Sequence, residues 1–123
     1  MPRKRILFVE DDAWWQQFVN RALQPLDADI TMATDYGSGM QALRLGPYDL
    51  LLFDNKLGSM RNGGVELLQA THRILRPTPS AILHSSDLTT IAGQVVETLG
   101  AVYHEKNGSA VELRELVERL LAK

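Results

Sequence analysis

The sequence contains no cysteine. Disulfide bonds, thiolate metal sites and a cysteine nucleophile are therefore excluded, and the absence agrees with a reducing compartment. Long apolar runs are also missing: no stretch approaches the roughly 20 residues that a helix needs to cross a bilayer, and the N-terminus has no signal-peptide hydrophobic region. We therefore expect a cytoplasmic protein with no membrane contact.

An excess of charge of one sign is lacking as well. Thirteen Lys and Arg residues stand against 15 Asp and Glu residues, which gives a formal net charge of -2. The basic run Arg3-Lys4-Arg5 is too short to indicate direct nucleic-acid binding. With 123 residues, 45% of them hydrophobic, the chain has the size of one compact domain, so we predict a single domain over residues 1–123.

Short apolar segments rich in β-forming residues alternate with longer segments of helical periodicity. This alternation is typical of a parallel sheet covered by helices on both faces, and five strand–helix units can be counted. The predicted strands cover residues 6–9, 30–33, 50–53, 81–83 and 102–104. The predicted helices run from the N-cap Asp12 to Pro25, over residues 39–45, from Val65 to before Pro77, from the N-cap Asp87 to Gly100, and from the N-cap Ser109 to Leu121.

Polar residues follow four of the predicted strands. In an open parallel sheet, functional groups gather beyond the carboxyl ends of the strands, where loops and helix N-termini converge. The sequence therefore predicts that acids, hydroxyls and an amine share one edge of the sheet. The residues that follow the strands are Glu10, Asp11 and Asp12, then Asp54, then Ser85 and Ser86, and finally Lys106.

Such a set of residues predicts phosphoryl chemistry. Crowded carboxylates repel one another, and a hard divalent cation such as Mg²⁺ relieves the repulsion in an oxygen-rich site. With the metal on one side and the ammonium of Lys106 on the other, the carboxylate of Asp54 could attack a phosphoryl group. The Ser85 hydroxyl could meet one of the phosphoryl oxygens, and the product would be an acyl phosphate.

Four segments resemble those of bacterial response-regulator receiver domains, in the same order and over essentially the whole chain. Each motif alone is weak, but together, at the right distances, they are specific. The resemblance implies a flavodoxin-like α/β fold, a doubly wound five-stranded parallel sheet with five helices, (βα)5. The four segments are residues 6–11 (ILFVED), 48–54 (YDLLLFD), 81–86 (AILHSS) and 100–106, from Gly100 through Tyr103 to Lys106.

The resemblance also implies a function: a Mg²⁺-dependent phosphoacceptor switch in a two-component phosphorelay, not an enzyme with substrate turnover. A sensor histidine kinase or a histidine phosphotransfer protein would supply the phosphoryl group, and a downstream effector protein, or a second copy in a phosphorylation-dependent dimer, would read it. The implied roles are phosphoacceptor for Asp54, phosphate-binding lysine for Lys106, Mg²⁺ ligands for Glu10, Asp11, Asp54 and the backbone carbonyl of Lys56, and switch residues for Ser85 and Tyr103.

The sequence departs from the family pattern at several positions. Asn107 stands where a proline commonly follows the phosphate-binding lysine, so we expect a trans peptide bond after Lys106. Gly58 stands where a proline is common, and the loop that it begins is about two residues long for the family. The segment between Gly100 and Tyr103 is one residue short, which could alter the pairing of the fifth strand.

Two other functions compete with this reading. A pseudo-receiver would keep the fold and bind a partner without phosphate, but the full set of predicted site residues argues against it. An aspartate-nucleophile phosphatase commonly has a second acid two residues after the nucleophile, and that position holds Lys56. Trp14 and Trp15 are interpreted as packing and surface cover. The histidines lack metal-ligand spacing, so we expect structural or exposed positions for His72, His84 and His104.

Lys56 generates a first prediction. Its cationic side chain is expected near the path by which water would attack the acyl phosphate of Asp54, and we expect it to slow self-dephosphorylation. The decay of the phosphorylated protein should therefore be faster for Lys56→Asn than for the wild type when the two are measured side by side. Equal half-lives would refute this role.

Overall fold

A computed structural model describes residues 3–86 and 96–123. Five strands form one parallel sheet in the order β2-β1-β3-β4-β5, which is the flavodoxin-like order. The strands are β1 (Lys4–Val9), β2 (Ala28–Ala33), β3 (Leu50–Asp54), β4 (Ser80–Ser85) and β5 (Val102–Glu105). The helices are α1 (Ala13–Leu23), α2 (Tyr36–Leu43), α3 (Gly63–Ile74) and α4 (Ala110–Leu121).

The predicted α/β fold is confirmed, including the parallel pairing of all five strands. The shortened segment before Tyr103 leaves regular pairing between β4 and β5, from Ile82 opposite Val102 to Ser85 opposite Glu105. The helix predicted from Asp87 to Gly100 lies largely outside the described residues, although residues 96–98 are helical. None of the helices in the described ranges has the length and apolar character needed to span a bilayer.

Alternate residues of the strands fill two hydrophobic cores, one on each face of the sheet. In β1, Ile6 and Phe8 pack with α1 and α4, whereas Leu7 and Val9 pack with α2 and α3. This division follows from the two-residue period of a strand. It also explains why β1 and β3 read as continuous apolar runs, because both faces of those runs are buried.

The central strand β3 carries the polar edge of the sheet. All five of its residues are buried, and Asp54 is its last residue. Since β3 lies between β1 and β4, the carboxylate of Asp54 emerges between the residues that follow those two strands. The sheet therefore delivers an acid to the centre of the edge where the functional groups were predicted.

Two predicted helix caps are confirmed. The Asp12 carboxylate accepts hydrogen bonds from the backbone N–H groups of Trp14 and Trp15, at 2.8 and 3.1 Å. The Ser109 hydroxyl accepts one from the backbone N–H of Glu112 at 3.2 Å. Both side chains satisfy donors that have no partner within the helix, which fixes where α1 and α4 begin.

The predicted bounds of α2 are wrong. The helix begins at Tyr36, three residues before Gly39, and ends at Leu43. Asp35 is the N-cap: its carboxylate accepts from the Ser38 N–H at 2.7 Å, and the Ser38 hydroxyl accepts from the Asp35 N–H at 3.2 Å. This reciprocal capping box, in which serine takes the position that is usually glutamate, outweighs the weak helix propensity of the glycines that follow.

Close packing between β3 and α3 generates a stability prediction. A Cβ atom on Gly64 would clash with the Asp54 carbonyl oxygen and would lie 2.8 Å from the Asn55 Cα. Gly64→Ala should therefore lower the free energy of unfolding by about 2–3 kcal/mol, because backbone cannot yield as a side chain can. Urea unfolding followed by circular dichroism measures the change.

The matched control is Gly37→Ala in α2, where the added Cβ would meet nothing closer than 3.7 Å. Alanine has the higher helix propensity, so stability should be unchanged or raised by up to about 1 kcal/mol. If the two variants unfold at the same urea concentration, an added Cβ meets no clash at Gly64, and the close contact between β3 and α3 is contradicted.

Candidate functional site

An open cleft of about 820 Å³ lies at the carboxyl ends of the strands. Five of the predicted site residues line it, and Lys56 lines its mouth with an exposed side chain. Trp15, Asn55, Ser86 and Arg61 complete much of the remaining wall. The five are Glu10, Asp11, Asp54, Ser85 and Lys106.

Three carboxylates meet in this cleft. One oxygen from each of Glu10, Asp11 and Asp54 can be chosen so that all three lie within 4.8 Å of one another. Glu10 and Asp54 are buried, whereas Asp11 is exposed at the opening. The cluster is therefore closed towards the sheet and open towards solvent.

The ammonium of Lys106 joins two of these acids. Its Nζ lies 2.8 Å from Glu10 Oε1 and 3.2 Å from Asp54 Oδ1, and 6% of the Lys106 side chain is exposed. The backbone N–H of Lys106 donates to the Ser85 carbonyl at 3.0 Å. The lysine is thus held at its backbone by β4 and at its ammonium by acids that follow β1 and end β3.

Burial raises the pKa values of the two inner acids of the cluster. Burial, together with the hydrogen bond to Asp54, raises the pKa of Glu10 from 4.5 to about 8. Burial also raises the pKa of Asp54. One ammonium cannot neutralise two buried carboxylates, so without another cation the pair tends to retain a proton.

Asp11 differs from the other two acids. Its partial burial acts to raise its pKa, but the hydrogen bond from the Gly58 N–H, 2.8 Å from Asp11 Oδ2, and those with the neighbouring acids lower it. Asp11 is therefore the acid that is most readily ionised. It supplies a charged oxygen at the solvent side of the cluster, where a cation would enter.

The donor set fits a hard divalent cation. The side-chain ligands on offer are carboxylate oxygens, which Mg²⁺ prefers, and the open side leaves room for the waters that Mg²⁺ retains. The raised pKa of the buried pair also fits, because an added cation would favour the ionised acids. Glu10, Asp11 and Asp54 are the side chains that would hold the ion.

The two residues expected to act as a switch meet at one carbonyl. The Tyr103 hydroxyl donates to the Ser85 carbonyl oxygen at 3.0 Å, and the same oxygen accepts the Lys106 N–H. Tyr103 is half-buried against the core formed with α2 and α3. The backbone of Ser85 thus connects the aromatic side chain to the lysine.

The loop after β3 is held to the site by residues that the sequence analysis did not single out. The buried Asn55 side chain accepts from the Val65 N–H at 3.2 Å and donates to Asn62 Oδ1 at 3.0 Å. Gly58, which has a φ of 61°, directs its N–H at Asp11. The sequence signal that could have identified Asn55 is its position directly after the apolar strand and Asp54. An amide at such a place is expected to be buried and therefore to need hydrogen-bond partners.

Asn107 closes the turn after β5. The preceding peptide bond is trans, as predicted, since the cis bonds of the described residues are Gly46–Pro47 and Arg76–Pro77. The Asn107 Oδ1 accepts from the Ser109 N–H at 2.9 Å, and its Nδ2 donates to Glu112 Oε2 at 2.6 Å. Side-chain hydrogen bonds therefore set the path that a proline ring would otherwise restrict.

Trp15 contacts the site, a role that the sequence analysis missed. The Lys106 Nζ lies 5.0 Å from the centre of the Trp15 ring, and the ring makes a T-shaped contact with His84 at a centroid distance of 5.5 Å. His84 is buried, and burial lowers its pKa to about 3, with the charge of Lys106 adding to the effect. The neighbouring imidazole is therefore neutral.

Several solved structures of similar fold are described as receiver domains or response regulators. A CheY-like response regulator receiver domain protein from Methanospirillum hungatei JF-1 is 28% identical, with a TM-score of 0.88 over 98% of this chain and 95% of that chain. The signal receiver domain of an HD domain-containing protein from Pseudomonas fluorescens Pf-5 is 24% identical, with a TM-score of 0.85 over 98% and 96%. A response regulator from Thermotoga maritima is 18% identical, with a TM-score of 0.80 over 99% and 100%. No protein-family model and no curated protein matches the sequence.

The raised pKa of Glu10 generates a prediction about pH. Between pH 4.5 and about 8 the folded state binds more protons at Glu10 than the unfolded state, so the free energy of unfolding falls as the pH rises. Glu10→Gln should remove most of this loss, on the order of 3 kcal/mol between pH 5 and pH 8. Urea unfolding in the presence of a chelator at the two pH values measures it.

Glu115→Gln, on the exposed face of α4, is the control and should keep the pH dependence of the wild type. Mg²⁺ should also stabilise the wild type more at pH 8 than at pH 5, because protons compete with the metal for the acids. The same pH dependence in Glu10→Gln and in the wild type would contradict the raised pKa.

Proposed function

We propose that this chain, which has the fold and the motif order of response-regulator receiver domains, accepts a phosphoryl group on Asp54 and so switches a partner-binding surface. The observation that carries the proposal is the position of Asp54. Its carboxylate ends the central strand in an open cleft, 3.2 Å from the Lys106 ammonium and beside two further acids. The nucleophile, a cation for the phosphoryl oxygens and a metal-binding set thus share one site.

The donor is proposed to be a phosphohistidine of a sensor kinase or of a histidine phosphotransfer protein. A carboxylate oxygen of Asp54 attacks phosphorus, a phosphorus–oxygen bond forms, and the phosphorus–nitrogen bond of the donor breaks. The electron pair of that bond remains on the imidazole nitrogen. Lys106 is already beside the attacking oxygen, so its ammonium can turn to a phosphoryl oxygen as negative charge moves there.

Mg²⁺ is the proposed cofactor. When bound, the ion supplies positive charge that neutralises the acids and offsets the charge of the phosphoryl oxygens. The side chains that would hold it are Glu10, Asp11 and Asp54, and the carbonyl of Lys56 is the proposed backbone ligand. Gly58 orients Asp11 for this role through its N–H.

Ser85 and Tyr103 are proposed to transmit the change. The Ser85 hydroxyl would follow the phosphoryl group, and the Ser85 carbonyl holds both the Tyr103 hydroxyl and the Lys106 N–H. A shift of the Ser85 backbone would therefore alter the hydrogen bond that orients Tyr103. A downstream effector protein, or a second phosphorylated copy, would read the altered surface in the cytoplasm.

We propose a switch and not a turnover enzyme. The position two residues after the acceptor holds Lys56, and not the carboxylic acid that commonly serves as general acid in aspartate-nucleophile phosphatases. The pseudo-receiver alternative is disfavoured because Glu10, Asp54 and Lys106 form a paired, buried group. Charged groups are costly to bury, so a function that uses them explains their presence better than packing does.

Tryptophan fluorescence tests the proposal, because Trp15 lies against the Lys106 ammonium. Mg²⁺ and then beryllofluoride, a phosphoryl mimic, should each change the signal saturably. In Asp54→Asn the beryllofluoride response should disappear. Mass spectrometry after incubation with acetyl phosphate should show one added phosphoryl group on the wild type and none on Asp54→Asn.

The pseudo-receiver reading provides the opposing outcome. It predicts no change in fluorescence on either addition and no phosphoryl group after incubation with acetyl phosphate. Asp12→Asn serves as a control, since Asp12 caps α1 while Asp54 remains intact, and it should still accept the phosphoryl group.

A further inference from the structure

We propose that Trp15 is a positioning residue for Lys106, and that its indole ring fixes the ammonium in the orientation from which it meets the phosphoryl group. The inference rests on the proposed function and extends it to a residue of α1. Trp15 would touch no reacting atom and would act through the lysine.

The first support is the contact itself. The Lys106 Nζ lies 5.0 Å from the centre of the Trp15 ring, within the range of a cation–π interaction. The lysine side chain is 6% exposed, so the contact is largely removed from water. Removal from water strengthens the attraction between an ammonium and an aromatic ring.

The second support is that the ring is itself held in place. It makes T-shaped contacts with Phe18 at a centroid distance of 5.2 Å and with His84 at 5.5 Å. The backbone N–H of Trp15 is bound by the Asp12 carboxylate at the start of the helix. A ring supported by α1 on one side and β4 on the other offers the ammonium a rigid surface.

The third support is the geometry of the lysine. A lysine has a flexible four-carbon stem and no planar group to set its direction. Glu10 and Asp54 attract its ammonium at 2.8 and 3.2 Å, and Trp15 bounds the space beside them. His84, which also contacts the ring, is neutral because burial lowers its pKa to about 3, and so it adds no competing cation. When charge moves from Asp54 to the phosphoryl group, the ring keeps the ammonium close to its new partner.

The test compares Trp15→Leu, Trp15→Phe and Trp14→Leu in phosphorylation by acetyl phosphate at saturating Mg²⁺. Trp15→Leu should lower the rate constant at saturating donor by about tenfold, and Trp15→Phe should restore much of it, because phenylalanine keeps an aromatic face. Trp14→Leu is the matched control: Trp14 is 60% exposed and stacks on Phe18 at 5.4 Å, and its loss should leave the rate near that of the wild type. The Mg²⁺ affinity, followed by calorimetry, should change little in all three.

A double-mutant cycle separates positioning from a structural role. In a Lys106→Ala background, Trp15→Leu should cause no further loss of rate, because there is no ammonium left to position. Losses that multiply in the double variant would show that Trp15 acts through the fold, and they would overturn the inference. A tenfold weakening of Mg²⁺ binding in Trp15→Leu would overturn it too.

A readout without phosphorylation keeps this inference distinct from the proposed function. The ε-methylene protons of Lys106 should resonate upfield of those of the other lysines because of the ring current of Trp15. The shift should disappear in Trp15→Leu and persist in Trp14→Leu. If this pattern holds while acetyl phosphate leaves the wild type unmodified, the positioning contact stands and the phosphoacceptor proposal fails; if no upfield shift exists in the wild type, the contact is absent and the inference is overturned.

Discussion

The burial of one ammonium between two carboxylates is the interaction on which the polar edge of this protein depends. Lys106 follows the edge strand β5, yet its Nζ reaches Glu10 after β1 and Asp54 at the end of β3. Removing these charges from water is costly unless each finds a partner. The group therefore links the end of β5 to the ends of β1 and β3, which are not its neighbours in the sheet. It forms because the sheet order brings these strand ends to one edge.

The same group holds two carboxylates and only one ammonium, and this charge imbalance bears on the proposed phosphoryl chemistry. Two buried carboxylates face one ammonium, and burial raises the pKa of both Glu10 and Asp54. A divalent cation would neutralise part of this charge, and the proposed transfer of a phosphoryl group to Asp54 would redistribute it. A pair of one carboxylate and one ammonium would already be neutral, so its energy would change less on cation binding or on phosphoryl transfer. The hydrogen bond between Gly58 and Asp11 links the loop after β3 to the same group of charges.

Much of the fold and of the candidate site could be predicted because both depend on local patterns. Apolar runs marked the strands, the side chains of Asp12 and Ser109 marked helix starts, and residues after parallel strands must share one edge. The start of α2 could not be predicted from the apolar residues, because Asp35 and Ser38 set it through a capping box in which serine takes the usual place of glutamate. The contact of Trp15 with Lys106 could not be read from the sequence. It depends on the angle of α1 to the sheet and on the path of a side chain 91 positions further along the chain.

One departure from the receiver-domain pattern, Asn107, directly follows the same lysine. A proline after Lys106 would restrict the backbone there; in this chain Asn107 sets that turn by binding Ser109 and Glu112 with its side chain. The backbone of Lys106 is held by the Ser85 carbonyl, and its far end is enclosed by Trp15 and the two acids. Lys106 is thus held at its backbone by a hydrogen bond to Ser85 and at its ammonium by the Trp15 ring and two carboxylates. Because the ammonium is the group proposed to meet the phosphoryl group, restraint there would reduce the conformational freedom that remains to be lost in the transition state.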